Sequence, residues 1–115
     1  MTPSSTALLT IDLQNDFLHP DGAYGRAGQG ADSILALPDR IAPEKVAYSA
    51  FYQTRLEYIL RAMKIDTLII GGIVTNGGVA STVRDAHLRD IHTILLSDGC
   101  AAFNEDVHAA TLKSL

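Results

Sequence analysis

Three stretches of the chain are almost purely apolar. Ala7-Leu8-Leu9-Thr10-Ile11 ends at Asp12, Thr67-Leu68-Ile69-Ile70-Gly71-Gly72-Ile73 forms the second, and Thr93-Ile94-Leu95-Leu96-Ser97 ends at Asp98. Each is short, rich in branched residues and nearly continuous. A strand with one wet face would alternate apolar with polar side chains, so these runs suit parallel strands covered on both faces.

Between the runs the apolar spacing becomes helical. Leu56, Ile59, Leu60 and Met63 recur at i, i+3, i+4, i+7, which turns Arg55, Glu57 and Arg61 outward. Val79, Thr82, Val83 and Ala86 repeat the pattern, with Arg84, Asp85 and Arg89 outside. Glu105 to Leu115 is helical by propensity, with Asn104 placed to cap it. This alternation predicts one α/β domain over residues 1–115, a Rossmann-like parallel sheet of about three to four strands flanked by helices and joined by right-handed crossovers. The stretch from Gly22 to Pro43 breaks the rhythm with Gly22, Gly25, Gly28, Gly30, Pro38 and Pro43. Pro38 argues against a long helix there. A short strand over Ile41 to Ala47, carrying Lys45, would be the fourth.

Composition narrows the partners. With 115 residues, 47% hydrophobic and 19% charged, the chain can bury one modest core. A net charge of -4 and the lack of any Lys/Arg run give no footprint for nucleic acid. The apolar runs are too short to span a bilayer, and the polar start Met1 to Thr6 lacks a signal peptide's basic residues. The single cysteine, Cys100, cannot form an internal disulfide, which favours a reducing, cytoplasmic setting.

In open parallel sheets ligands bind beyond the carboxyl ends of the strands. Asp12, Thr75-Asn76-Gly77-Gly78 and Asp98-Gly99-Cys100 are expected there. Burial of a carboxylate that closes a strand raises its pKa and suits it to proton transfer, although by position alone a structural Asp capping the turn is the commoner case. Gly77 and Gly78 open a helix, where backbone N–H groups can meet an anion or oxyanion, or where a tight turn merely needs small residues. Gly71-Gly72 inside a strand marks close packing or a close ligand approach. Neither dinucleotide nor P-loop fingerprint is present. His19, His87, His92 and His108 are scattered without ligand spacing, so neither metal nor cofactor is expected. Lys45 beside Glu44 reads, alone, as a solvated surface charge, and Cys100 as an inert buried thiol.

Taken together, four segments resemble one family in its own order. Leu9-Thr10-Ile11-Asp12-Leu13-Gln14-Asn15-Asp16-Phe17 is similar to the opening D-x-Q-x-x-F motif of the isochorismatase-like hydrolases. Lys45-Val46-Ala47-Tyr48-Ser49-Ala50-Phe51 resembles their K-x-x-x-S-A-F segment. The block from Ile65 through Gly72-Ile73-Val74-Thr75-Asn76-Gly77-Gly78 to Ala86, and the turn Asp98-Gly99-Cys100-Ala101-Ala102, complete the likeness.

That resemblance implies an Asp-Lys-Cys triad in which the aspartate takes the thiol proton, the lysine stabilises charge and the cysteine attacks an amide or related carbonyl. Asp12 matches the aspartate and Lys45 the lysine. Gln14, Phe17, Val74, Thr75, Asn76 and Gly77 match the substrate-binding positions. It also implies a non-proline cis peptide at Val74–Thr75, aiming the N–H groups of the 75–78 turn at the substrate oxygen.

Two departures shape the expected function. The nucleophile position is Gly78, which excludes the usual thiol route. True isochorismatases share that glycine and hydrolyse a vinyl ether with the aspartate as general acid, but they carry Ala-His where this chain has Thr75-Asn76. The interval from Asp12 to Lys45 is also shorter than the family's, lacking a helix-strand segment, and Leu115 precedes the family's last strand. Exposed sheet edges would then invite pairing, so a homo-oligomer is expected. The resulting expectation is a hydrolase of a small amide or vinyl-ether metabolite that works without cysteine. Its rival is an inactive family remnant that binds a small anion or a partner subunit.

Overall fold

A computed structural model describes residues 2–12 and 47–115. Lys45, Gln14, Phe17, the glycine-rich stretch and nearly all of the possible strand from Ile41 lie outside the described residues. Among the described residues the sheet has three parallel strands, β1 (Thr6–Ile11), β2 (Thr67–Ile73) and β3 (His92–Ala101), in the order β1-β2-β3. Helix α1 (Leu56–Ala62) leads into β2, α2 (Ala80–Leu88) links β2 to β3, and α3 (Glu105–Ser114) comes after β3. The parallel sheet flanked by helices is the architecture that the apolar runs predict.

The strand starts are tied together by the backbone. Asp66 N–H donates to the Ser5 carbonyl (3.0 Å), and His92 N–H donates to the Asp66 carbonyl (2.8 Å). Thr6 therefore lies opposite Thr67, and Thr67 opposite His92. From there β2 runs through the core: Leu68 and Ile70 are fully enclosed, with Ile11, Val79, Val83, Ala86 and Ile91 packed around them. Burial along β2, complete but for the half-buried Ile69, is what its unbroken apolar run demands, since a central parallel strand is covered on both faces.

β3 departs from the sequence expectation. The strand does not stop at Ser97 but continues to Ala101 across an irregularity. Leu95 lies opposite Ile70 and Cys100 opposite Gly72, so Leu96 to Gly99 face the single residue Gly71. The extra residues bulge, which exposes Ser97 and Asp98 before the chain re-enters the ladder. Polar residues that read as a terminating turn are thus the crest of a bulge.

Glycines 71 and 72 make these approaches possible. A Cβ on Gly71 would lie 2.9 Å from the Gly99 carbonyl oxygen, and one on Gly72 would collide with the backbone of Ile11. Gly72 also has φ +125°, which disfavours any side chain. Of the two readings of this pair, close packing is the one observed.

The helices match their patterns unevenly. On α2, Val83, Thr82 and Ala86 are buried as the spacing requires. On α1 only Leu60 is buried; Leu56 is half-buried, Ile59 is exposed, and Met63 stands exposed at the helix end. The reason is the helix's short length and a polar contact on its other side. Glu57, expected to face outward, accepts hydrogen bonds from Arg61 (3.1 Å) and from Arg89 beyond α2, whose guanidinium also sits 4.9 Å above the Phe51 ring. The Arg89 and Arg61 bonds hold the Glu57 carboxyl below the usual carboxylate range. On α3, the Asn104 side chain accepts from the N–H groups of Asp106 (2.8 Å) and Val107 (3.1 Å), a capped start as expected. No helix among the described residues is long and apolar enough to cross a membrane.

Gly72→Ala is expected to destabilise the fold by about 3–5 kcal/mol, since left-handed strain adds to overpacking against the β1 backbone. A urea unfolding curve compared with wild type measures it.

Candidate active site at the carboxyl end of the sheet

The pairing of Ile11 with Gly72 brings Asp12 and the residues after Ile73 to one end of the sheet. Asp12 is half-buried and has φ 54°, a left-handed conformation that Asp tolerates better than most residues. Beyond β2 the chain does not enter α2 directly. Thr75–Val79 form one wide turn of π-helical type, interrupted at Gly77 by φ -116° and ψ -105°, and α2 continues from it.

The non-proline cis bond lies between Ile73 and Val74, one peptide earlier than the resemblance implied. The Val74 carbonyl organises the turn: it accepts from Gly77 N–H (3.0 Å) and Val79 N–H (3.2 Å). The Ala80 N–H is directed to the carbonyls of Thr75 and Gly77. These inward bonds correct a second expectation. The Gly77 amide, supposed to face a substrate oxygen, is engaged inside the turn, so at most the amides of Thr75, Asn76 and Gly78 could meet an anion.

Segment 47–51 closes over this turn. Thr82, fully buried, donates from Oγ1 to the Gly78 carbonyl (2.7 Å) and accepts from Ala50 N–H (3.0 Å). Ser49 Oγ accepts from Phe51 N–H (3.1 Å) and shapes the bend. As a result the Tyr48 carbonyl oxygen would lie 3.1 Å from a Cβ at Gly78, with Ile11 Cγ2 at 3.0 Å and the Ile73 carbonyl oxygen at 3.3 Å. The Tyr48 ring itself is 71% exposed and would lie 4.0 Å from a Cβ at Gly77. Among the expected site residues, then, Asp12, Val74, Thr75, Asn76, Gly77 and Gly78 gather at one end of the sheet. Asn76 is exposed, Thr75 and Gly78 are buried, and Val74 and Gly77 are intermediate.

Two contacts were not legible in the sequence. Thr82 counted only as a helix-face residue, yet its hydroxyl links the 47–51 segment to the turn. His108, one of four histidines without ligand spacing, places Nδ1 2.7 Å from Thr75 Oγ1. Its position one turn after the Asn104 cap was the available signal, because it sets which side of α3 faces the body. Cys100 is enclosed opposite Gly72. Burial pushes its thiol up to about 11, partly offset by a hydrogen bond with the Gly72 backbone and reinforced by the charge of Asp98. Among the described residues, no three of His, Cys, Asp and Glu come together as a metal site.

Known proteins share both sequence and shape with this chain. The isochorismatase domain matches residues 31–115. Nicotinamidase 3 of Arabidopsis thaliana is 37% identical over 78 residues, covering 68% of this chain and 39% of that protein. A ureidoacrylate amidohydrolase of Methylorubrum extorquens is 43% identical over 97 residues, covering 82% of this chain and 38% of its own length. The chain therefore spans about two fifths of these curated relatives. In three dimensions, a cysteine hydrolase from Pseudomonas syringae pv. phaseolicola superposes with a TM-score of 0.78 at 27% identity, over 99% of this chain and 85% of that one.

Gly78→Ala is expected to cost about 1–2 kcal/mol in a denaturant titration, because two of the three atoms crowding the new Cβ are backbone oxygens. The Cys100 thiol stays protonated until the pH approaches its raised value, so at about pH 8 Ellman's reagent should label the folded protein at least a hundredfold more slowly than the urea-unfolded chain.

Proposed function

The chain belongs to the isochorismatase family, and from that premise we propose that it forms the catalytic sheet of a hydrolase acting on a small amide or vinyl-ether metabolite. The observation that supports this reading is the Ile11–Gly72 pairing, which brings Asp12 and the start of the turn after Ile73 to the same end of the sheet. Asp12 is assigned as general acid or base. Lys45, matched through the K-x-x-x-S-A-F segment, is assigned to stabilise the developing charge, and Gln14 and Phe17 to hold the substrate. The amides of Asn76 and Gly78 are the assigned receivers of the substrate oxygen, since Gly77 N–H is turned inward.

Gly78 occupies the position assigned to the family's nucleophile, so the proposed chemistry is direct. Asp12 moves a proton to or from water or the leaving group, and no covalent enzyme intermediate forms. The names of the relatives, a nicotinamidase and a ureidoacrylate amidohydrolase, support an amide as the first class of substrate to try. A cytoplasmic homo-oligomer remains part of the same reading.

The second reading is a non-catalytic relative that binds a small anion or a partner subunit. It is favoured by the crowding at Gly78, where the space beyond the α-carbon is already taken by Ile11, Tyr48 and Ile73.

The test is a hydrolysis screen of the purified protein beside Asp12→Ala, using nicotinamide, ureidoacrylate, N-carbamoyl amides, isochorismate and simple esters. Turnover should fall at least about a hundredfold in the variant, the range of a lost general acid or base. Silence of the folded wild-type protein across the panel would transfer support to the binding reading.

A further inference from the structure

Helix α3 sits beside the proposed site without a deep apolar anchor. None of its residues is buried, and its half-buried side consists of His108, Thr111 and Leu112, spaced i, i+3, i+4. The hydroxyls of Thr111 and Ser114 bond backward within the helix, to the carbonyls of Val107 (2.7 Å) and Thr111 (2.8 Å). His108 instead reaches out of the helix, with Nδ1 at 2.7 Å from Thr75 Oγ1.

Thr75 has no exposed surface. A hydroxyl sealed from water must find its partner inside the protein or lose the free energy of solvation. Thr75 is also the first residue of the wide turn, and its carbonyl receives the Ala80 N–H that starts α2. Its neighbour Val74 receives the amides of Gly77 and Val79. Two adjacent residues thus set the path of the turn, and the group that fixes the side chain of one of them comes from another helix.

We propose that His108 is a positioning residue for the 75–79 turn: by holding Thr75 through Nδ1 it sets where the turn presents its amides. The imidazole meets substrate at no point in this role; it acts through Thr75. The part of the inference that concerns catalysis rests on the hydrolase reading, whereas the part that concerns turn geometry does not. An Asn side chain carries a polar atom at nearly the reach of Nδ1, whereas Leu carries none. Replacing His108 by each separates the hydrogen bond from mere bulk.

The experiment compares wild type with His108→Asn, His108→Leu, Thr75→Val and the Thr75→Val/His108→Leu double variant, all checked for folding by circular dichroism. The first readout is hydrogen exchange at the amides of Gly77 and Val79, followed by NMR. His108→Leu and Thr75→Val should each speed that exchange about tenfold, the size of one net hydrogen bond. The double variant should be no faster than either single one, and His108→Asn should stay within about threefold of wild type. The second readout is kinetic, on whichever substrate of the panel turns over. There His108→Leu should lower kcat about tenfold with KM within about threefold, as expected where a misplaced amide weakens transition-state binding alone.

Unchanged exchange in His108→Leu, or equal effects of the Asn and Leu variants, overturns the assignment. The expected exchange pattern in a protein that hydrolyses nothing sustains His108 and sinks the hydrolase reading. Turnover lost in Asp12→Ala but untouched in His108→Leu, with unchanged exchange, does the reverse.

Discussion

The close backbone approach between Gly72 of β2 and Ile11 of β1 is the constraint on which the candidate site depends. Any Cβ at Gly72 would collide with the Ile11 backbone, and the residue's positive φ excludes side chains independently. Because the two strands can close at that point, Asp12 leaves β1 one residue after the Ile11–Gly72 pair, level with the last residue of β2, Ile73. Gly71 performs the matching service toward β3, where the Gly99 carbonyl presses against it. A glycine pair at the end of the central strand thus lets both neighbours draw in around the carboxyl end of the sheet.

The turn beyond β2 is held by bonds that converge from several elements. The Val74 carbonyl gathers two amides of the turn, Thr82 of α2 binds the Gly78 carbonyl and the Ala50 amide, and His108 of α3 binds the Thr75 hydroxyl. The Thr75 and Thr82 hydroxyls are fully buried, so an unmade bond at either would be costly. The turn is therefore specified by polar satisfaction, while the sheet beneath it is specified by apolar burial. The tight seat at Gly78 belongs to the same arrangement: segment 47–51 can lie so close only because no side chain projects there.

Much of the framework was legible from local pattern. Continuous apolar runs identified β1 and β2 to within a residue, the Val79, Thr82, Val83, Ala86 spacing identified the buried side of α2, and Asn104 marked the start of α3. Local pattern failed where a residue answered to a distant partner. Glu57 looked like a solvated charge but bonds Arg89, and the burial predicted for Ile59 and Met63 was not realised on a helix of only two turns. The Ser97–Gly99 stretch read as a terminus because a bulge and a turn use the same residues. The cis peptide fell one bond earlier than the motif likeness implied, since a likeness names a region more securely than a bond.

By itself, the sequence determined the layer order, the parallel sense of the strands and the positions after which chemistry could sit, because these follow from hydrophobic periodicity and from residues whose backbone preferences are local. Motif order also pointed to the family that the domain match identifies. Only the tertiary structure decided which amides of the turn face inward, that Thr82 ties it to segment 47–51, and that His108 reaches Thr75 from 33 residues away. The physical reason is that a hydrogen bond depends on distances of tenths of an ångström between groups far apart in the chain. No spacing rule along the sequence encodes such a distance until the core has set the strands and helices against one another.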